Sequence, residues 1–449
     1  MRAVAASGKN TRALWAATLG MFLDGFDLSI LAIALLPLKS QWQPSAADVG
    51  TLMAMALLGS LVGGVLGGWV TDRFGRQRLL LPNVMLYVLG AVISALSPDL
   101  GILFLGRFVT GLAIGLDYPL VATIVAEYSA TVRRGRGFAW VNLAWFGGAV
   151  FSTVLGLILL PVGPDSWRWM LASAVIPAVG LLWLRRRLPE SPRWLLRQGR
   201  SKAAAAALRA LEPGLDEDAV RVRLDGFGAQ RMSLAPLWQK RAWRRRLVLG
   251  VLPWFCLDVV SLGIALYLPS VLRSTQVASS DMAAAGINLI FEIVTASAIV
   301  YILPRIDRVG RIPLQKGGFA LMAVGLAIFA LGVAMPSVVV LFFGSTLYAL
   351  GLGLGPAVTI FALAVEIFPT EWRASVAGLA TSVSRLGAVF SAVLFPILEQ
   401  RVGVAALLMA VAAVAWLGRA ITARFAVESS ARSLEALERE ALEATRPGP

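Results

Sequence analysis

The sequence predicts an all-α membrane protein with twelve transmembrane helices arranged as two six-helix halves. Of the 449 residues, 58% are hydrophobic and only 15% are charged, a balance that soluble chains do not show. At about 20 residues per membrane-spanning helix, a chain of this length holds roughly twelve such helices and one polar segment. Short polar signatures also recur at a nearly constant offset between the two halves of the chain.

Hydropathy divides the chain into spans, tails and one linker. The predicted spans are 12–37, 48–70, 79–97, 101–126, 137–160, 168–184, 247–272, 280–303, 312–334, 337–365, 374–398 and 401–420. The predicted domains are an N-terminal tail, a first half, a linker with amphipathic helices, a second half and a C-terminal tail, bounded as 1–11, 12–184, 185–246, 247–420 and 421–449. The N-terminal tail carries no small-residue cleavage site after a short apolar core, so we expect a retained tail rather than a signal peptide.

The net charge of +15 is distributed unevenly between the two sides of the predicted membrane. Almost all Lys and Arg residues outside the spans fall in alternate loops and in the two tails. The opposite loops contain Lys39, Arg168, Arg273 and Arg401. By the positive-inside rule, both termini are predicted to be cytoplasmic. The basic surplus then reflects topology and attraction to anionic lipid, and nucleic acid is not needed to explain it.

Scarce residue types exclude several chemistries. The chain contains no histidine and one cysteine, Cys256, which excludes an internal disulfide and a metal site built from these two residue types. There is no phosphate-binding loop pattern and no recognisable pair of nucleophile and base, so we expect no ATP use, no cofactor and no enzyme. Proton chemistry has to run on carboxylates, with a proton gradient as the energy source.

Polar residues repeat at the ends of corresponding spans in the two halves. Asp72 and Asp307 each begin a stretch of the form Asp-Arg-x-Gly-Arg, 235 residues apart, and Glu127 and Glu366 each precede an arginine by seven residues, 239 residues apart. We interpret these charges as a conformational latch at the cytoplasmic helix ends of an alternating-access transporter; solvated loop ends are the alternative. The predicted latch residues are Asp72, Arg73, Arg76, Glu127, Arg134, Asp307, Arg308, Arg311, Glu366 and Arg373.

These signatures resemble those of the major facilitator superfamily, and the resemblance covers the whole chain. Its loop and fourth-helix signatures are similar to Gly68-x-x-x-Asp72-Arg73-x-Gly75-Arg76 and Arg107-x-x-x-Gly111-x-x-x-Gly115. Sugar-porter-like members carry segments after helices 6 and 10 that resemble Pro189-Glu190-Ser191-Pro192-Arg193-Trp194-Leu195 and Glu366-x-Phe368-Pro369-Thr370-x-x-Arg373. The resemblance implies the major facilitator fold and says little about the substrate.

Ionisable residues inside the spans are the candidate coupling and binding residues, because a charge there is costly and tends to face a partner or a cavity. The seven residues of this kind are Asp24, Asp27, Asp117, Asp258, Glu292, Arg107 and Arg385. Five acids against two arginines leave three negative charges that protons or cations have to balance. We therefore predict that the five acids take part in proton coupling.

Three spans also resemble aromatic-acid:proton and phosphate:proton symporters. The pattern Leu23-Asp24-Gly25-Phe26-Asp27-Leu28 is similar to helix 1 of both families, where the paired Asp are linked to coupling. Gly115-Leu116-Asp117-Tyr118-Pro119-Leu120 and Trp254-x-x-x-Asp258 are similar to helices 4 and 7 of the phosphate symporters. Where that family has Gln, Tyr, Asn and Lys in helices 5, 7, 10 and 11, this chain has Trp145, Leu262, Ala357 and Arg385.

A pocket with fewer polar ligands and more aromatic surface suits a partly apolar anion better than phosphate, so the sequence favours an organic acid. Arg385 can hold a carboxylate through two parallel hydrogen bonds, and its alternative role is a permanent ion pair with Asp258 or Glu292. The predicted substrate-binding residues are Tyr118, Trp145, Trp254, Asp258, Asn288 and Arg385.

The sequence therefore predicts a proton-coupled symporter that imports a small anionic metabolite by alternating access. An inorganic phosphate symporter, a proton-driven exporter of drugs or metabolites, and a nutrient receptor that no longer transports are the alternatives. The expected partners are the anion, protons and the lipid bilayer, without nucleic acid. The expected assembly is a monomer, and the alanine- and arginine-rich composition favours a bacterial inner membrane.

Overall fold

The computed structural model describes residues 8–128, 134–186, 188, 190–211, 215–225, 235–274, 277–335, 337–368 and 370–430. The helices of the first half are α1 Gly8–Trp42, α2 Ala46–Phe74, α3 Gln77–Ala95, α4 Leu100–Tyr128, α5 Arg134–Leu159, α6 Ser166–Ala172 and α7 Val175–Arg185. Those of the linker are α8 Pro192–Arg197, α9 Ser201–Leu211, α10 Glu217–Asp225 and α11 Ala235–Gln239. Those of the second half are α12 Arg241–Ser274, α13 Asp281–Ile302, α14 Ile306–Val309, α15 Arg311–Ala334, α16 Val338–Leu354, α17 Pro356–Glu366 and α18 Thr370–Arg424.

Twelve helical segments of the described residues are long and apolar enough to cross a membrane, which confirms the predicted all-α architecture. Spans 1–5 lie in α1–α5, span 6 is α6 with α7, and spans 7, 8 and 9 lie in α12, α13 and α15. Span 10 is α16 with α17, and α18 contains spans 11 and 12. Gly403, near the start of span 12, interrupts α18 with a φ of 80°, a conformation that glycine adopts without steric cost.

Span bounds differ from the predicted ones by a few residues. The difference that matters is at span 6, which continues through Arg185, the residue predicted to begin the linker. In the predicted linker, α8, α9 and α10 enclose a small core of their own around Leu195, Leu208 and Val220. The part of the predicted C-terminal tail after residue 430 lies outside the described residues.

The two halves contact each other mainly along span 2 with span 11 and along span 5 with span 8. Within the first half, span 1 packs against span 5, and Gly25 makes this possible because any side chain there would collide with the backbone carbonyl of Trp145. This close packing places Asp24 and Asp27 in the interior of the first half, where both are almost fully buried. We call the side that carries the loops after spans 2 and 8 the predicted cytoplasmic face.

Candidate functional site

A cavity lies between the two halves, lined by spans 1, 4, 5, 7, 10 and 11. It encloses about 600 Å³ including the space at its open side. The predicted substrate-binding residues that line it are Tyr118, Trp145, Trp254, Asp258 and Arg385. The polar residues Asn142 and Ser261 also line it. Sequence reasoning missed both, although an asparagine inside a span is the kind of signal that identifies a cavity.

Arg385 is bound to Asp258 at one wall of this cavity. Its Nη1 donates a 2.9 Å hydrogen bond to Asp258 Oδ2, and its Nε donates a 3.3 Å hydrogen bond to the Ser60 hydroxyl in span 2 of the other half. The guanidinium carbon lies 4.8 Å from the centre of the Tyr118 ring. The positive charge of Arg385 is therefore balanced, and the cavity presents an ion pair rather than an isolated cation.

Aromatic rings form the wall beside this ion pair. The ring centres of Trp254 and Phe361 are 5.5 Å apart, and Tyr118 lies 6.3 Å from each of them. Across the cavity, Trp145 and Phe146 meet edge to face at 4.9 Å. Such surfaces bind the flat, apolar faces of a small ligand, while the few polar groups fix its orientation.

Asp27 and Arg107 form a buried, two-bonded ion pair between spans 1 and 4. The guanidinium nitrogens Nη2 and Nη1 lie 2.7 and 3.0 Å from the two carboxylate oxygens, and each side chain is only 1% exposed. Two parallel charge-assisted bonds of this kind are strong and fix the relative orientation of the two side chains. The sequence singled out both residues but not their pairing.

Asp117 forms a second buried pair, with Arg185 at the end of span 6. Their closest atoms, Oδ1 and Nη2, are 2.5 Å apart, and the Asn83 amide donates to the same oxygen at 2.8 Å. A side chain at Gly20 would collide with this pair, so glycine allows it to lie against span 1. Sequence reasoning missed Arg185, because placing the linker at residue 185 left this arginine outside the membrane.

Asp24 differs from these acids because no arginine binds it among the described residues. The hydroxyl of Tyr87 in span 3 donates to Oδ1, and Oδ2 has no hydrogen-bond partner within the part of the chain that the structure describes. The side chain is fully buried and interacts electrostatically with Asp117, Arg385 and Arg185. Asp24 thus interacts electrostatically both with the buried Asp117–Arg185 pair and with Arg385 at the cavity.

Glu292 and Asn288 lie at the contact between spans 5 and 8, away from the lining of the cavity. The Asn288 amide donates to Glu292 Oε1 at 3.0 Å, and Thr153 of span 5 interacts with the same carboxylate. The position of Asn288 disagrees with its predicted substrate-binding role, because its side chain is one helical turn from Glu292 and faces that carboxylate. Glu292 also has no arginine partner among the described residues.

The predicted latch residues of the second half form a compact ion-pair cluster. Arg311 makes two 3.1 Å hydrogen bonds to the Glu366 carboxylate and lies 2.8 Å from Asp307. Ser429, after span 12, donates to Glu366 at 2.7 Å. Arg308 is exposed and makes no ion pair with any described residue, which disagrees with its predicted place in the cluster.

The first-half cluster is described only in part, because the side chains of Asp72, Glu127 and Arg134, like that of Arg373 in the second half, lie outside the described residues. Their pairing stays a prediction. Arg73 is exposed and lies over the Phe74 ring at 5.8 Å, and Arg76 is half-buried.

Two glutamates bind the loops after spans 2 and 8 in the same way. Glu190 accepts hydrogen bonds from the backbone N–H groups of Arg76 and Gln77 at 3.1 and 3.0 Å. Glu428, 238 residues later, accepts them from Arg311 and Ile312 at 2.9 and 3.0 Å. Sequence reasoning missed Glu428, although its offset of 238 residues from Glu190 lies between the offsets of 235 and 239 residues of the other repeated signatures.

The halves also meet at the predicted cytoplasmic face. Arg136, at the start of span 5, lies 3.9 Å from Asp307 and donates a 3.2 Å hydrogen bond to the carbonyl of Pro304. Asp307 therefore contacts both the cluster of its own half and a cation of the other half.

Comparison with known proteins decides the family. The family model described as "Sugar (and other) transporter" matches residues 13–441. The chain belongs to this family. Sugar (and other) transporter proteins are membrane transporters and not enzymes, so the chain is a multi-pass membrane transporter.

Relatives and solved structures agree with this assignment. The chain is 30% identical over 436 residues to the inner membrane metabolite transport protein YgcS of Escherichia coli, covering 94% of this chain and 92% of YgcS. It is 29% identical over 383 residues to an arabinose-proton symporter of Bacillus subtilis, covering 82% and 81%. The structure of the proton:xylose symporter XylE, a major facilitator protein, bound to 6-bromo-6-deoxy-D-glucose superposes with a TM-score of 0.84 at 23% identity, covering 97% of this chain and 100% of XylE.

These matches confirm the sugar-porter-like fold and a membrane location like that of the bacterial inner membrane relatives. They do not support the finer resemblance to aromatic-acid:proton and phosphate:proton symporters. An organic anion as substrate likewise finds no support in them.

Proposed function

We propose that this transporter couples the movement of a small neutral hydroxylated metabolite, a sugar or polyol, to the movement of a proton through Asp24. One observation carries the coupling: Asp24 is a fully buried carboxylate without an arginine partner among the described residues. A buried carboxylate that is not paired avoids the cost of burial by binding a proton.

The charge balance inside the spans supports this choice. Three of the five intramembrane acids each have an arginine: Asp27 has Arg107, Asp117 has Arg185 and Asp258 has Arg385. The counted surplus of three negative charges falls to two, at Asp24 and Glu292, once Arg185 is included. Of these two, Asp24 is the one that interacts electrostatically with Arg385 at the cavity.

The cavity supports a neutral substrate. Because Asp258 already balances Arg385, the site offers no unpaired positive charge to an anion. The rings of Tyr118, Trp254 and Phe361 suit the C–H faces of a sugar ring, and Asn142 and Ser261 supply polar atoms nearby. The relative named as an arabinose-proton symporter supports the same substrate class. This proposal replaces the organic acid that the sequence favoured.

A small organic anion is the second candidate, and a specific observation favours it. The Arg385 guanidinium is buried in the cavity wall, so protonation of Asp258 would free a two-pronged donor suited to a carboxylate. The two candidates differ in the charge that moves with each transport cycle. A neutral sugar with one proton carries one positive charge, and a monoanion with one proton carries none.

Uptake into vesicles containing the purified protein tests both candidates. An outside-acid pH gradient should drive accumulation of one of several labelled compounds: arabinose, xylose, glucose, myo-inositol, benzoate and phosphate. An inside-negative potential of about 100 mV supplies about 2.3 kcal/mol per transported charge, so it should increase accumulation of a neutral substrate several-fold. Accumulation of benzoate or phosphate that ignores the potential would reject the neutral substrate, and uptake that ignores both gradients would reject proton coupling.

A further inference from the structure

A cluster of basic residues lies at the start of span 7, at the predicted cytoplasmic face. These residues belong neither to the cavity nor to the buried ion pairs inside the spans. We call Lys240, Arg241, Arg244 and Arg245 the basic cluster. All four side chains are exposed, and none makes an ion pair or a hydrogen bond to any described residue. No acidic residue occurs between Asp225 and Asp258 in the sequence, so the flanking chain supplies no acid to balance the cluster.

The cluster lies at the level where lipid headgroups meet the helix. Helix α12 and the candidate span 7 both begin at Arg241, and the apolar stretch of the span follows directly after Arg246. Trp238, two residues before the cluster, is 59% exposed. Exposed tryptophans with neighbouring arginines are typical of the boundary between hydrocarbon and headgroups.

The opposite side of the start of α12 packs against the protein. This packing determines that the side chains of the basic cluster face outward. Trp243 is buried and meets Trp372 edge to face, with ring centres 4.9 Å apart. Arg246 is buried against the Trp243 ring and donates a 3.0 Å hydrogen bond to the carbonyl of Ile367. Trp243 and Arg246 thus anchor the helix, while the four cations of the cluster point away from the protein.

We propose that the basic cluster binds the headgroup of an anionic phospholipid of the surrounding bilayer. Arginine forks match phosphate oxygens bidentately, and clusters of four or more basic residues beside a span attract anionic lipid. The exposed Trp238 supplies the aromatic contact at the same level. The bilayer is the one phosphate source that is always adjacent to this position.

Native mass spectrometry of the detergent-purified full chain tests the proposal, with phosphatidylglycerol and phosphatidylcholine as probes. The parent should retain phosphatidylglycerol at least ten-fold more than phosphatidylcholine, and high salt should weaken this preference because it screens exposed charges. The variant Arg241→Gln/Arg244→Gln/Arg245→Gln should lose the preference. A photoactivatable phosphatidylglycerol should label the peptide that contains residues 238–245 in the parent.

A matched control separates this site from net charge. Arg78 and Arg221 are exposed on α3 and α10, and Arg200 is exposed directly before α9; replacing these three by Gln removes the same total charge. This control should keep the lipid preference, and replacing Arg241, Arg244 and Arg245 by Lys should retain most of it. Equal loss in the control and the cluster variant, or equal retention of the two lipids by the parent, would overturn the proposal. The parent measurement decides it even where the Gln variant does not insert.

Discussion

Equivalent spans of the two halves are joined by buried polar triads that differ in charge. In the first half, spans 3, 4 and 6 are joined by Asn83, Asp117 and Arg185. In the second half, spans 9, 10 and 12 are joined by Gln315, Thr359 and Thr422, through hydrogen bonds of 3.0 and 2.9 Å. The neutral triad shows that hydrogen bonds alone can join these three spans.

The charged triad is the costlier solution. In the charged triad, Asp117 Oδ2 and Arg185 Nε have no hydrogen-bond partner among the described residues. In the neutral triad, the Gln315 amide group donates to Thr422 and accepts from Thr359, so its nitrogen and its oxygen both have partners. Buried polar atoms without partners cost free energy. Asp117 also interacts electrostatically with Asp24, the acid proposed to carry the coupling proton. The comparison suggests that the first half keeps its charges for proton coupling, while the second half needs only the structural connection.

The largest expected effect comes from removing one partner of the buried ion pair in the charged triad. Arg185→Met leaves Asp117 as an unpaired buried charge, and we expect a loss of about 3–5 kcal/mol of stability. The double variant Arg185→Met/Asp117→Leu removes both charges and should recover most of that loss. Thermal unfolding in detergent measures the stability of the parent, the single variant and the double variant. A single variant as stable as the parent would show that Arg185 does not balance Asp117.

A smaller effect is expected in the neutral triad. Thr422→Val removes the hydroxyl that accepts from the Gln315 amide and should cost about 1–3 kcal/mol, because the amide is left buried without that partner. The same unfolding measurement applies, with Thr422→Ser as the control that keeps the hydroxyl. A loss as large as that of Arg185→Met would contradict the difference drawn between the triads.

The smallest effect is expected at the contact between the halves on the predicted cytoplasmic face. Arg136 is 37% exposed and 3.9 Å from Asp307, a geometry worth no more than about 1 kcal/mol. Arg136→Gln should therefore change the balance between open states by less than about five-fold. Labelling of a cysteine introduced in the cavity, with the buried Cys256 as the unreactive background, reports that balance. A much larger shift would mean that this contact, and not the packing of the spans, holds the face closed.

Much of this arrangement was predictable from the sequence because charges inside spans are rare. Asp27, Asp258 and Arg385 stood out by depth alone, and the repeated loop signatures identified Arg311 with Glu366. Arg185 was missed because an arginine at a span end is assigned to the loop by hydropathy, whereas here it turns back into the bundle.

Other features depend on how each helix is rotated in the bundle and on which side chains pair, and hydropathy and motifs do not show either. Asn288 and Glu292 share a helix face, but only the packed structure shows that this face meets span 5 rather than the cavity. The proposed substrate class differs from the predicted anion for a related reason. The sequence leaves open whether Arg385 binds an anion or forms an ion pair with Asp258 or Glu292, and the fold pairs it with Asp258.

Proton movement during substrate uptake tests the central claim, that Asp24 carries the coupling proton, most directly. Vesicles containing the parent, Asp24→Asn or Glu292→Gln are compared for substrate-driven proton flux and for counterflow exchange of the same substrate. We expect Asp24→Asn to lose proton flux and gradient-driven accumulation by at least ten-fold while counterflow persists, and Glu292→Gln to keep all three. Undiminished proton flux in Asp24→Asn would contradict the account and move the coupling site to another acid.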